Sequence, residues 1–131
     1  MLEDVIKKFA RIHWSDYALA EVRTERRATV DDLILTVVGL YSVEGKNFEL
    51  RFEDSTYVQL EVDFAFKRVT SDGIEGARCL AESPWKRTLS ERNPHDDFSS
   101  YLHFEIGLVP KSGLIQVLAK DFSFCALDES S

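Results

Sequence analysis

From Asn47 onward, oily and polar residues alternate strictly. Phe48, Leu50 and Phe52 alternate with Glu49, Arg51 and Glu53. After Glu53-Asp54-Ser55-Thr56 the alternation resumes, with Val58, Leu60, Val62, Phe64 and Phe66 set against Gln59, Glu61, Asp63, Ala65 and Lys67. A period of two sends successive side chains to opposite faces of a pleated strand. The pattern predicts a hairpin over 47–69 whose oily face belongs to the core and whose other face is mostly acidic.

The remaining elements fit around that hairpin. Leu2, Val5, Ile6, Phe9 and Ala10 follow the spacing of one helical face, which predicts a helix within 1–12. A strand follows over Tyr17 to Glu25. Leu33 to Val43 is apolar on both alternating sets, which suggests a strand covered on both faces. With the hairpin, these make a four-strand meander over 17–69, because consecutive strands joined by short turns are usually neighbours. Residues 71–97 form an irregular connection. Within it, Ser83-Pro84-Trp85 reads as an N-cap followed by proline in the first turn, predicting a short helix from Trp85 to Arg92 that Asn93-Pro94 closes. Residues 77–82 suit either strand or helix. A C-terminal hairpin over 100–124 turns at Pro110-Lys111-Ser112-Gly113, and its second strand has apolar residues on both sets. The expected fold is α+β in one domain, 1–131: mainly an antiparallel sheet of about six strands, an N-terminal helix and a short helix in the 71–97 connection.

Charge narrows the classes of partner. Lys and Arg total 16 against 23 Asp and Glu, a net charge of -7. Affinity for nucleic acid comes largely from cations that neutralise phosphates, so nucleic acid is not expected, whereas a basic protein surface or a bound cation suits the field. The longest apolar run, Leu33 to Tyr41, is interrupted by Thr36 and Gly39 and is far short of the roughly 20 residues of a membrane helix. Cys79 and Cys125 have no metal-ligand spacing and read as idle thiols in a reducing compartment. The acidic start lacks the basic and apolar regions of a signal peptide. The expectation is a cytoplasmic protein without membrane contact.

Local catalytic motifs are missing: no Gly-rich phosphate loop, G-x-S-x-G, H-E-x-x-H or C-x-x-C occurs. No catalytic residue, metal ion or cofactor is therefore expected. His95-Asp96-Asp97 is the densest group of possible ligands, but adjacent side chains rarely face one ion. His103 falls on the polar set of its strand and reads as a surface histidine paired with a carboxylate. Trp14, at a helix-to-strand junction, reads as a core residue because its ring buries so much area. The acidic face remains as the candidate site. Glu49, Glu53, Glu61, Asp63 and Glu105 lie opposite the predicted core sets, and with Tyr57 and Tyr101 they would give a basic protein partner carboxylates for steering and rings for anchorage. The competing reading is a small-molecule-binding domain or minor enzyme with a pocket between sheet and connection, using Trp85, His95, Asp97 and His103. A third reading is a self-associating subunit.

Three short segments carry a resemblance. His13-Trp14-Ser15-Asp16 after the first helix, Leu50-Arg51-Phe52-Glu53-Asp54 within a strand and Phe104-Glu105-Ile106 near the end make the chain resemble a group of small bacterial immunity-protein-like domains with an N-terminal helix, a Trp/Asp junction and an antiparallel sheet. The resemblance implies a non-catalytic protein that neutralises a bacterial toxin by binding it.

Overall fold

A computed structural model of the chain describes residues 2–41, 45–62, 72–109 and 113–127. It shows an α+β fold with an N-terminal helix, a short connecting helix and a large antiparallel sheet. Helix α1 (Leu2–Ala10) carries acids in its first turn and bases in its last, in keeping with the helix dipole. A 3-10 turn at Trp14–Asp16 leads into the strands β1 (Tyr17–Arg27), β2 (Val30–Gly39), β3 (Asn47–Ser55), β4 (Tyr57–Val62) and β5 (Asp72–Leu80). Helix α2 (Pro84–Arg92) precedes β6 (Leu102–Val109), β7 (Gly113–Ala119) and β8 (Asp121–Ala126).

The strand order is β4-β7-β6-β5-β1-β2-β3-β8, all pairs antiparallel. The meander holds for β1, β2 and β3, but the expected 47–69 hairpin does not form. Instead β3 and β4 are two halves of one bent strand, and β7 and β8 are two halves of another. Pairing passes from one half to the next, with Glu53 opposite Asp121 and then Tyr57 opposite Leu118. Thr56 N donates to Leu118 O at 2.9 Å and Lys120 N to Glu53 O at 3.0 Å, so the corner stays bonded. The sheet thereby returns on itself, and the eight strands count as six long ones.

At that corner β3–β4 has one residue more than its partner. Such a bulge bends the strand, and Asp54 takes up the bend in the left-handed region, at φ +55°. On β7–β8 the inward phase changes at Lys120. Ile115, Val117 and Ala119 point inward before it and Phe122 after it, which accounts for the apolar residues on both alternating sets.

One hydrophobic cluster fills the inside of the ring. Phe9 from α1 is its centre, with ring contacts to Trp14, Phe52, Phe104 and Phe122. Trp14 is buried as expected, and its Nε1–H donates to Phe9 O at 2.9 Å, satisfying a carbonyl at the end of α1. Strand β2 is buried on both faces, as its composition predicts, but ends at Gly39. Leu50 and Phe52 are core residues, and Phe48 is half-buried.

Val58 and Leu60 are corrections. They keep the inward phase yet are 42% and 46% exposed, because β4 runs past the end of β2, which pairs with β3 only as far as Ser55. Asp63, Phe64 and Phe66 lie outside the described residues. Residues 77–80, left open between strand and helix, belong to β5. No helix among the described residues is long and apolar enough to cross a membrane.

Candidate functional site

The outward faces of the strands divide into two walls on either side of the bent strands. On the wall of β1, β2, β3 and β8 most of the charges pair with one another. Asp32, fully buried, receives Arg27 Nε at 2.6 Å, Arg51 Nη1 at 2.7 Å and the Asp54 amide at 3.0 Å. Burial works against its charge, but the hydrogen bonds from Arg27, the Asp54 amide and Arg51, with the Arg27 charge, outweigh it and hold the carboxyl at about 2. Arg51 also reaches Glu25 at 2.9 Å and Glu49 at 3.4 Å, and Glu49 meets Arg23 at 3.1 Å. The network surrounds Ile34, which lies between Arg23 and Arg51 in the strand register and is fully buried. Its carboxylates are committed to arginines of the same chain.

The wall of β4, β7, β6 and β5 is built differently. Helix α2 and the residues after it cover one end. There Leu118 points outward into a second apolar cluster with Leu89 and Phe98, against which Tyr57, Trp85 and Tyr101 pack. Helix α2 starts where predicted, with the Ser83 hydroxyl accepting from Lys86 N at 3.0 Å and Pro84 in the first turn. Beneath it runs a buried polar chain. His103 lies 2.7 Å from Ser83 Oγ through Nδ1 and 2.7 Å from Gln116 Oε1 through Nε2, and Gln116 Nε2 donates to Gln59 Oε1 at 3.4 Å. With Gln116 Oε1 facing the ring, Nε2–H donates to it, and in the neutral ring the Ser83 hydroxyl donates to Nδ1. Burial is the main influence and pushes its pKa below the usual imidazole range, against the Gln116 hydrogen bond and the Glu105 charge, with Arg78 adding to the lowering. His103 is therefore not the carboxylate-paired surface histidine expected. It is 2% exposed, in contact with the Trp85 ring at 4.7 Å between centroids.

Beyond this covered end the same wall is open. Gly76 and Gly107 oppose each other across β5 and β6, and Leu114 lies opposite Gly107 on β7. They floor a groove of about 320 Å³ with Ala77, rimmed by Glu75, Arg78 and Glu105. Arg78 Nε meets Glu105 Oε1 at 2.6 Å. Glu61, opposite Leu114 on β4, is exposed. Among the described residues, neither Glu61 nor Glu75 makes an ion pair.

No family model, curated protein or solved structure matches this chain.

The expected acidic face is thus split by the bend. Glu49 and Glu53 fall on the first wall, Glu61 and Glu105 on the second, and Asp63 lies outside the described residues. Tyr57 and Tyr101 are half-buried against Phe98, with Lys120 over the Tyr101 ring at 5.4 Å. Of the residues named for a pocket, Trp85 and His103 touch. Asp97 lines a different groove with Lys86 and Phe98 and accepts Ser99 N at 2.9 Å, while His95 is exposed in the following turn. Cys79 is buried and Cys125 exposed, both free. Burial, with a contribution from Asp121, pushes the Cys79 thiol up to about 12, leaving it unreactive.

Sequence reasoning missed Glu75, Gly76, Arg78 and Gly107 as a group. The two glycines in 71–76 read as a loop, and a register shift between Ile74 and Gly76 interrupts the alternation. Past that bulge, Ala77 and Cys79 resume the inward phase. An apolar residue at every second position from 77 to 81 was the signal available.

Proposed function

We propose that this chain is a non-catalytic cytoplasmic protein-binding module that holds a basic protein partner on the open wall of β4, β7, β6 and β5. The resemblance to bacterial immunity proteins points to a toxin as that partner. The observation that carries the reading is the difference between the two walls. Glu25, Asp32 and Glu49 on the first are paired with Arg23, Arg27 and Arg51, whereas among the described residues Glu61 and Glu75 on the second make no ion pair and stand beside a groove whose floor includes Leu114 and Ala77. Unpaired rim charges speed the encounter with an oppositely charged protein, and a partly apolar floor gives the docked complex area to bury. The non-catalytic part of the reading is supported by Ser83 and His103. They are the residue types of a nucleophile and base at 2.7 Å, but both are buried, one as a helix cap and the other bonded at both ring nitrogens.

The test is to express the products of the neighbouring reading frames and titrate each against the protein by calorimetry at low and high salt. The partner is expected to bind with strong salt dependence, and Glu61→Gln with Glu75→Gln is expected to weaken binding and flatten that dependence. Unchanged affinity and salt dependence in the double variant would remove this wall as the binding surface.

A further inference from the structure

The glycine pair at the floor of the groove is not required by the backbone. Neither Gly76 nor Gly107 has a left-handed φ. A Cβ built on Gly76 meets nothing within 4 Å, and one on Gly107 meets only Gly76 O at 3.8 Å, an ordinary contact. Glycine inside a strand weakens it, and where the fold does not demand it, it often marks a place where a ligand or another backbone comes close. Facing each other across β5 and β6, the two glycines leave a strip of bare peptide between Leu114 and the rim of Glu75, Glu105 and Arg78.

We propose that this glycine-floored groove seats an arginine side chain of the basic partner, with its guanidinium plane on the bare peptide units and its N–H groups on Glu105 and Glu75. The assignment rests on the protein-binding reading and adds the identity of the residue bound. Three observations carry it. The middle of the floor, at Gly76 and Gly107, carries no side chains, and a Cβ there would meet nothing closer than 3.8 Å, which leaves room for a planar group. The wall is acidic, and Glu105, half-buried, uses only Oε1 for Arg78, leaving Oε2 for a second donor. Arg78 itself is largely exposed, so it can yield its place to an incoming guanidinium or share the carboxylate with it. Lysine fits less well, being a compact and strongly hydrated point charge that gains little from bare peptide and cannot bind a carboxylate in a fork.

The experiment uses the full chain labelled with 15N and two blocked tripeptides, Gly-Arg-Gly and Gly-Lys-Gly, followed through the amide spectrum at low salt. The arginine peptide is expected to shift the amides of Gly76, Gly107 and Leu114, and the lysine peptide to shift them much less. Gly107→Thr is expected to abolish the arginine response while keeping the remaining spectrum, and Gly76→Thr gives an independent check on the same floor. Equal responses to both peptides, or an arginine response that survives both threonine variants, would overturn the seat. If the peptides move the Glu61 and Glu75 amides but not the glycines, the seat is wrong while the basic-partner reading stands. If neither peptide moves any amide of this wall, both are wrong.

Discussion

Asp32 accepts the backbone amide of Asp54 at 3.0 Å, and Asp54 is the left-handed residue at the bend between β3 and β4. One buried carboxylate thus fixes the corner through which the sheet closes and neutralises Arg27 and Arg51 on the outer wall. Removing it would leave Arg51, which is mostly buried, without its closest partner. Arg51 would keep Glu25 and Glu49, so the loss is that of hydrogen bonds to a charged group, on the order of 1.5–3 kcal/mol. Asp32→Ala is expected to lose stability on that scale in urea unfolding, and Asp32→Asn less, since the amide oxygen can still accept from Asp54 N. A loss no larger than that of an exposed Asp→Ala change would show that the corner does not depend on Asp32.

The same residue sets the acid limit of the fold. Its folded carboxyl is held at about 2 against an ordinary 3.8. A depressed carboxyl stabilises the folded state above its unfolded pKa and loses that contribution as pH falls through the folded value. Roughly 2 kcal/mol should therefore disappear between about pH 4 and pH 2. Unfolding free energies measured through this range should fall steeply in the wild type and more gently in Asp32→Asn.

His103 acts at higher pH. Because burial lowers its folded pKa, the unfolded chain takes up a proton more readily, and the fold loses stability as pH falls below the unfolded imidazole value of about 6.5. The ring faces Ser83 and Gln116 directly, and the charges of Glu105 and Arg78 act on it. His103→Leu is expected to cost about 1–3 kcal/mol by orphaning Ser83 and Gln116, and to flatten the stability profile between pH 7.5 and 5.5. A slope that persists in the variant would assign the titration to another group.

These relationships mark where the sequence could be read and where it could not. Alternation identified β1, β2 and β3 and the inward sets of β3 and β6, because a period of two survives in any regular strand, and the size of its ring identified Trp14 as buried. The Ser83-Pro84 start of α2 was legible because capping is local chemistry. What failed was every feature that depends on a bulge or on a neighbour distant in sequence. The bend at Asp54 resembles a hairpin turn when read locally, yet β4 pairs with β7, some 55 residues on. The bulge before Gly76 disguised β5 as a loop. His103 sits on a polar set and is nonetheless buried, because α2 lies over it. The acidic candidates were read as one surface for the same reason: only the bend separates Glu49 and Glu53 from Glu61.

The division between core and open face gives a direct pair of substitutions. Phe52 is fully buried against Phe9 and Phe104, and Phe52→Ala is expected to cost about 3–5 kcal/mol. Leu60 has the same inward phase but is 46% exposed, so Leu60→Asn is expected to change stability by no more than about 0.5 kcal/mol. Comparable losses in the two variants would mean that the inner face of β4 is covered after all.

Gly107 supplies the last expectation, and it separates folding from binding. Threonine suits strands better than glycine, and the added Cβ would meet only ordinary contact at 3.8 Å from Gly76 O. Gly107→Thr is therefore expected to raise the urea midpoint, by up to about 1 kcal/mol in stability, a sign opposite to that of most substitutions. A stabilised variant would mean that the fold itself gains nothing from glycine at this position, so the bare floor of the groove has to be explained by what rests on it. A destabilised variant would return Gly107 to a purely structural role.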